Sequence, residues 1–139
     1  MIVLDTNVTS ELMKSSPDPI VRQWVLACRP QERFTTSITL AEVRYGIERM
    51  PAGRRRNALA MLADDAFAAF EGQVLSFDVA AAIAYPLIVT RRERAGLPVH
   101  AFDAQIASIC RARGAALATR NLKDFEHTGI DLIDPWRAA

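Results

Sequence analysis

Short apolar runs of strand length alternate along this chain with longer segments of helical periodicity. The first run, Ile2-Val3-Leu4, is followed at once by Asp5, a residue type that ends strands and caps helices. Further strand-like runs lie at residues 34–37, 74–77, 115–119 and 131–134. Strands separated by helices join through right-handed crossovers into a parallel sheet covered on both faces. The alternation therefore predicts an α/β fold with a mostly parallel central sheet of about five strands.

The segments between these runs carry helix signals. A helix is predicted directly after Asp5, and further helices are predicted at residues 20–28, 39–50, 54–70, 79–94 and 102–113. Asp78 is the expected cap of the fifth of these helices, and Gly114 is the expected end of the last. Pro86 lies inside the fifth helix, where its missing amide hydrogen predicts a kink or a break.

Composition limits the classes of protein to which the chain can belong. Its 139 residues are a usual length for one domain, so we expect a single domain over residues 1–139. Seventeen Lys and Arg oppose 16 Asp and Glu, and this net charge of +1 creates no general attraction to nucleic acid. The first residues lack the basic segment of a secretory signal, and the longest apolar stretch is too short to span a membrane. We expect a cytoplasmic protein without a membrane segment.

Carboxylates lie where the predicted strands end. Asp5 follows the first strand, Glu42 lies near the start of the helix after the second, and Asp103 lies in the first turn of the last helix. Asn121 and Asp124 follow the fourth strand. Ligands of parallel sheets bind beyond the carboxyl ends of the strands, and carboxylates gathered there repel one another unless a hard dication such as Mg²⁺ or Mn²⁺ neutralises them. Such ions can activate water to attack a phosphodiester.

Each of these acids also has a purely structural interpretation. Thr39-x-x-Glu42 matches a capping box, in which Glu42 would bond only the amide of Thr39. Asp5 and Asp103 are acceptable capping residues that the helix dipole would favour, and Asp124 is compatible with a solvated turn. Spacing alone therefore indicates an acidic pocket on an α/β sheet and does not name a reaction.

Four segments, taken in order, resemble the motifs of the PIN-domain family. They are residues 2–8 (IVLDTNV), 37–47 (SITLAEVRYGI), 102–107 (FDAQIA) and 118–125 (ATRNLKDF). The resemblance extends from Ile2 to Trp136 and includes the run RRERAGLP at residues 91–98. It is strongest to the VapC toxins of bacterial type II toxin–antitoxin pairs, including their FitB-like branch. It implies a PIN-like three-layer α/β/α sandwich.

The resemblance also implies an activity and a partner. VapC-like proteins are endoribonucleases that use Mg²⁺ or Mn²⁺, often cut tRNA or another structured RNA, and are held inactive by a small cognate antitoxin. Asp5, Glu42 and Asp103 match the three acidic positions on which the family relies most. We therefore expect these three residues to be catalytic and to hold the metal ion.

The remaining site positions match the family less uniformly. Thr6, Asn7 and Thr119 correspond to polar residues that support the site through hydrogen bonds. The fourth acidic position is often Asp in relatives and is Asn121 here, with Asp124 three residues later. Either Asp124 supplies the fourth charge as a catalytic residue, or Asn121 contributes an amide oxygen to a weaker metal site.

Partners follow from the same resemblance. Family members usually form homodimers, and with the antitoxin they form heterotetramers or larger assemblies. Arg91, Arg92, Arg94 and Arg120 are candidate contacts to RNA phosphates, against the alternative of a solvated helix face.

The main alternative function is a PIN scaffold that binds RNA or a protein without cleavage, which the Asn121 substitution leaves open. A phosphoacceptor signalling domain would need a late Lys at the sheet edge, and Lys123 is the only late lysine.

Overall fold

Five strands and six α-helices, with short 3₁₀ turns between some of them, form the regular structure of the computed structural model, which describes residues 1–138. The strands are β1 (Ile2–Leu4), β2 (Arg33–Thr36), β3 (Val74–Leu75), β4 (Ala116–Ala118) and β5 (Leu132–Ile133). The helices are α1 (Thr6–Leu12), α2 (Pro19–Ala27), α3 (Ser37–Glu48), α4 (Arg54–Ala68), α5 (Val79–Arg94) and α6 (Ala101–Arg113). The predicted strands and helices are all present, with ends shifted by a few residues.

The strand order places the first strand in the middle of the sheet. All neighbouring strands are parallel, in the order β3-β2-β1-β4-β5. The chain therefore winds from β1 to one edge and then crosses to the other side of β1 to form β4 and β5. Parallel sheets bind ligands where the winding direction changes, just beyond the carboxyl ends of the strands. In this chain that point lies between the ends of β1 and β4.

Alternate side chains of the two central strands enter cores on opposite faces of the sheet. Val3 and Leu117 are paired in register and contribute to a core with buried residues of α5 and α6. The next pair, Leu4 and Ala118, contributes to a second core with α1 and α2. A third cluster joins α3 to α4. The layers confirm the predicted three-layer α/β/α sandwich.

Helix α5 continues through its proline. The sequence predicts a kink or a break at Pro86, and of these two the break is absent, since the helix runs without interruption from Val79 to Arg94. Pro86 and Ala82 are both exposed, so the Ala82 carbonyl that loses its usual amide donor faces solvent. The carbonyl of Pro86 itself accepts a hydrogen bond of 2.7 Å from the Thr90 hydroxyl. Within residues 1–138, neither α5 nor any other helix is long and apolar enough to cross a membrane.

The helix ends follow the predicted capping chemistry in two places and depart from it in one. Asp78 caps α5 by accepting a hydrogen bond of 3.0 Å from the amide of Ala81. Gly114 ends α6 in the left-handed conformation, with φ of 63°, which Gly adopts without steric cost. Helix α3, however, begins at Ser37 and not at the predicted Thr39.

The cores on both faces of the sheet predict that a buried leucine contributes far more to the free energy of unfolding than an exposed leucine. Leu117→Ala in β4 removes a side chain with 0% exposure and should lower the free energy of unfolding by about 2–5 kcal/mol. Leu26→Ala in α2 changes a side chain that is 61% exposed and should change it by about 0.5 kcal/mol or less. Urea denaturation followed by circular dichroism measures both. Equal losses in the two variants would contradict this assignment of the core.

Candidate active site

Asp5 lies directly after β1 and is held by hydrogen bonds at both carboxylate oxygens. Its Oδ1 accepts a hydrogen bond of 2.8 Å from the amide of Thr6, as the cap of α1. Its Oδ2 accepts one of 2.8 Å from the Thr119 hydroxyl and a longer one of 3.4 Å from the Asn7 side-chain amide. Asp5 is only 4% exposed. Burial raises the pKa of Asp5 above its usual value, while the bonds from Thr119 and Thr6 oppose that increase.

Glu42 reaches the site from α3 and is not part of a capping box. The cap of α3 is Thr36, whose hydroxyl accepts a hydrogen bond of 3.0 Å from the amide of Thr39. Glu42 is thus in the second turn of the helix, and its Oε1 accepts a hydrogen bond of 2.9 Å from the Thr6 hydroxyl. The capping-box interpretation is wrong, because the helix starts two residues earlier than the sequence indicated. The Glu42 carboxylate is directed toward the residue that follows Asp5.

Asp103 lies in the first turn of α6 and faces the other acids. Burial raises its pKa to about 6, with further increases from the charges of Asp5, Asp124 and, more weakly, Glu42. The neighbouring His100, which caps α6, opposes this increase. These interactions place four carboxylates within electrostatic reach of one another.

Two residues after β4, Asn121 and Asp124, are the candidates for the fourth acidic position of the family. The amide of Asn121 donates a hydrogen bond of 3.1 Å to the Thr119 hydroxyl, which ties the backbone of this turn to the site. Asp124 is exposed in the 3₁₀ turn Leu122–Phe125, and its charge contributes to the raised pKa values of Asp5 and Asp103. Asn121 and Asp124 line one groove of about 520 Å³ together with further residues of both charges, namely Arg120, Lys123, Glu126, Asp134 and Arg137.

Asn7 and Thr119 connect the ends of the two central strands. The Asn7 side-chain amide donates to the Thr119 hydroxyl over 3.3 Å, and its Oδ1 accepts a hydrogen bond of 3.3 Å from the amide of Arg120. Thr119 is fully buried and donates to Asp5. These bonds fix the relative positions of the two strand ends, at the point where the winding direction of the sheet changes.

The four arginines predicted to contact phosphates are in different environments. Arg91 and Arg94 are exposed near the end of α5. Arg92 is 2% exposed, and its guanidinium donates to the carbonyls of three residues, so its predicted role as a phosphate contact is wrong. Arg120 is exposed in the groove beside Asp124, with its guanidinium carbon 5.1 Å from the centre of the Trp136 ring.

Two further site neighbours were not expected from the sequence. His100 is adjacent to Asp103 because it caps the same helix, and a His three residues before an acidic first-turn position is the signal that could have indicated it. Thr39 is fully buried and lies 3.2 Å from the Thr6 hydroxyl, between Thr6 and the cap Thr36. A threonine at the predicted start of a helix gave no signal of this second contact.

The acids of the site form no ion pair with Lys or Arg in the described part of the chain. None of the ion pairs within residues 1–138 includes Asp5, Glu42, Asp103 or Asp124. Their oxygen atoms are the ligands that hard divalent cations prefer. Across the same residues, however, no three Asp, Glu, His or Cys side chains converge closely enough to form a ready-made metal site. The donor chemistry therefore fits a divalent ion, and binding requires the side chains to move closer together.

Comparisons with known proteins agree with the fold and with the four motifs. The PIN domain family model matches residues 2–130. The VapC ribonuclease Y4jK of Sinorhizobium fredii is 39% identical over 140 residues, a match that covers 100% of each chain. Toxin FitB of Neisseria gonorrhoeae is 30% identical over 137 residues, with 98% of this chain and 99% of that protein covered.

A solved structure extends the agreement to the whole fold. The crystal structure of FitAcB from Neisseria gonorrhoeae superposes with a TM-score of 0.91 at 30% identity and covers 99% of both chains. The family model covers β1 to β4, including Asp5 at the end of the central strand, and the full-length relative and the superposition extend the match to nearly the whole chain. The chain belongs to the PIN domain family.

Proposed function

We propose that this chain is the toxin of a toxin–antitoxin pair and acts as a metal-dependent endoribonuclease that hydrolyses RNA phosphodiester bonds. The observation that carries this proposal is the gathering of Asp5, Glu42, Asp103 and Asp124 around the ends of β1 and β4 without an ion pair to Lys or Arg in residues 1–138. The names of its relatives, a VapC ribonuclease and a FitB toxin, support the reaction class and the toxin role. PIN-domain nucleases generally use divalent metal ions.

In this proposal Asp5, Glu42 and Asp103 are the catalytic metal ligands, and Mg²⁺ or Mn²⁺ is the cofactor. When bound, the ion supplies a nucleophilic water and stabilises the departing oxygen of the phosphodiester. The supporting residues orient the acids. Thr119 and the amide of Thr6 fix the two oxygens of Asp5, while the Thr6 hydroxyl fixes Glu42. Asp5 Oδ1 and Glu42 Oε1 each accept one hydrogen bond, so each keeps a second lone pair for the ion, whereas Asp5 Oδ2 already accepts two.

We assign the fourth acidic role to Asp124 and a weaker, uncharged role to Asn121. Asp124 raises the pKa values of both Asp5 and Asp103, so its charge acts on the centre of the cluster. Asn121 is exposed and lines the groove, and its side-chain amide brings an oxygen but no charge. Asp124 thus supplies the charge that relatives place at the Asn121 position.

The substrate in this proposal is tRNA or another structured RNA that lies along the groove beside Asp124. Arg120, Lys123 and Arg137 line that groove and offer charge to successive phosphates. Arg91 and Arg94 are exposed and stay candidate phosphate contacts. The cognate antitoxin is a small protein that blocks this same site, and the single PIN domain over residues 1–139 contains the entire activity.

We further propose that two copies pair through the outer face of α5. Val79, Ile83 and Leu87 recur every four residues on this face and are 76%, 67% and 55% exposed. Charged side chains on this row begin only at Arg91, so the stretch from Val79 to Leu87 is complementary to an identical apolar face, as a two-fold symmetric contact requires. With antitoxin bound, such dimers would form heterotetramers or larger assemblies.

A second candidate function is a PIN scaffold that binds RNA or a protein without cutting. The observation that favours it is the absence, within residues 1–138, of three ligands converged closely enough to hold a metal ion. The Asn121 position, which carries no charge, favours it as well. Cleavage and metal binding separate this function from the first.

The nuclease proposal predicts metal-dependent cleavage of RNA. Purified protein with Mg²⁺ or Mn²⁺ should cut bulk tRNA or total RNA, and EDTA should abolish the cleavage. Asp5→Asn and Asp103→Asn should each lower the rate by about 100-fold or more, because each removes a charged metal ligand. Asp65→Asn, at an exposed position of α4, is the matched control and should cut normally. RNA that stays intact under every metal condition, with metal bound, would favour the scaffold.

The raised pKa of Asp103 predicts how stability depends on pH and metal. A carboxyl with a pKa of about 6 in the folded chain binds its proton more tightly than in the unfolded chain, so metal-free protein should lose stability as pH rises from about 4 to about 6. In EDTA at pH 7.5, Asp103→Asn should therefore melt a few degrees higher than wild type, and the difference should vanish near pH 4.

Added Mg²⁺ should reverse this order. It should raise the melting temperature of the wild type, because a ligand that binds only the folded state stabilises it, and should raise that of Asp103→Asn much less. Thermal denaturation with and without Mg²⁺ measures both effects, with Asp65→Asn as the control. Equal shifts in wild type and Asp103→Asn would show that Asp103 is not a metal ligand.

The proposed pairing predicts that one charge on α5 separates the copies. Ile83→Glu should convert a dimer to a monomer in light scattering coupled to size-exclusion chromatography, because the carboxylate would be buried against an apolar face. Met61→Glu changes an equally exposed residue of α4 and should leave the dimer intact. A monomeric wild type, or dissociation by both variants, would refute pairing through α5.

A further inference from the structure

Arg92 is a buried cation on the inner side of α5. It is 2% exposed, and no ion pair within residues 1–138 includes it. A charged side chain at such a position is costly unless hydrogen bonds replace its hydration. The contacts of its guanidinium therefore indicate what the residue does.

Those contacts join two separate segments of the chain. Nη1 donates to the carbonyl of Glu126 over 2.6 Å and to that of Lys123 over 3.3 Å, while Nη2 donates to the carbonyl of Pro98 over 2.6 Å. Lys123 and Glu126 flank Asp124 in the turn after β4. Pro98 lies in the loop that leads to His100, the cap of the helix that carries Asp103.

The main chain of Arg92 reinforces one of these connections. Its carbonyl accepts hydrogen bonds from the amides of Ala95 and Leu97, at 3.1 and 3.0 Å. The loop between α5 and α6 is thus attached to Arg92 both through this carbonyl and through Pro98. The guanidinium then extends from the same residue to the turn of Asp124.

We propose that Arg92 is a positioning residue that sets the distance between Asp124 and Asp103 and thereby the metal affinity of the site. The inference rests on the proposed function, because it concerns how the chain prepares that metal site. A planar guanidinium suits this task, since its donors point in fixed directions toward two segments at once. A lysine ammonium, as a single point charge, would hold only one of the two segments well.

The donors of Arg92 are used unevenly. Its Nε is buried and has no hydrogen-bond partner in the described part of the chain, whereas Nη1 and Nη2 donate to three carbonyls. The orientation of the guanidinium therefore satisfies the carbonyls on the two acid-bearing segments.

The test compares Arg92→Met and Arg92→Lys with Ile88→Ala. Ile88 is fully buried one turn earlier in α5 and belongs to the same core cluster as Phe125 of that turn, but its side chain makes no hydrogen bond to either acid-bearing segment. Ile88→Ala therefore controls for lost packing and stability. Mn²⁺ affinity is measured by calorimetric titration and local opening by amide hydrogen exchange. RNA cleavage is measured as separate kcat and KM values.

Arg92→Met should weaken Mn²⁺ binding by about 10- to 100-fold, as loss of a residue behind the metal ligands does. It should lower kcat more than KM and should speed exchange in residues 99–104 and 121–126 together. Arg92→Lys should recover part of the affinity. Ile88→Ala should lower the melting temperature but leave Mn²⁺ affinity within about twofold of wild type.

Several results would overturn the inference or separate it from the proposed function. Unchanged Mn²⁺ affinity in Arg92→Met, or equal weakening in Ile88→Ala, overturns the role of Arg92 alone. If Arg92→Met does not fold, Arg92→Lys decides, and wild-type affinity in Arg92→Lys refutes the proposal. A wild-type chain that binds Mn²⁺ but cuts no RNA overturns the nuclease activity and leaves the affinity comparison valid, whereas one that binds no Mn²⁺ overturns both.

Discussion

The hydrogen bond from the Thr119 hydroxyl to Asp5 joins the carboxyl ends of β1 and β4, and the remaining site depends on it. These strands are neighbours only because the chain reverses its winding direction between β3 and β4. The reversal leaves an opening at their ends, where Asn7 forms a second bridge between them. Glu42 enters from the helix after β2 and Asp103 from the helix before β4, so the topology brings residues far apart in sequence to one location.

Gathering these acids opposes folding, and the rest of the structure offsets the cost. Burial and mutual repulsion raise the pKa values of Asp5 and Asp103, which means that their charged forms are disfavoured in the metal-free chain. The two cores on either side of the sheet supply the stabilisation that permits such a site. Perturbed carboxyl groups at a topological opening are more typical of functional sites than of structural ones, because a stabilising role would call for a basic partner.

Most of the fold could be predicted from the sequence, since strands and helices differ in apolar period and their ends carry caps and glycines. The start of α3 could not, because Thr36 and Thr39 have equal capping chemistry and only the hydrogen bond to the amide of Thr39 distinguishes them. The acids could be selected by position and family resemblance. The sequence could not distinguish the buried Arg92 from the exposed Arg91 and Arg94, because its burial depends on which face of the helix packs inward.

The two halves of the acidic cluster are held in different ways. Asp5 and Glu42 are fixed through their own carboxylate oxygens by Thr6 and Thr119. Asp124 is exposed, and the structure constrains it through the carbonyls of its neighbours Lys123 and Glu126, which Arg92 holds. A constraint on the backbone leaves the side-chain rotamers free, so the second half can adjust while the first cannot. This difference is consistent with a cluster whose charges interact although no three ligands have converged within residues 1–138. Under the proposed function, an ion would draw Asp124 inward against a fixed Asp5.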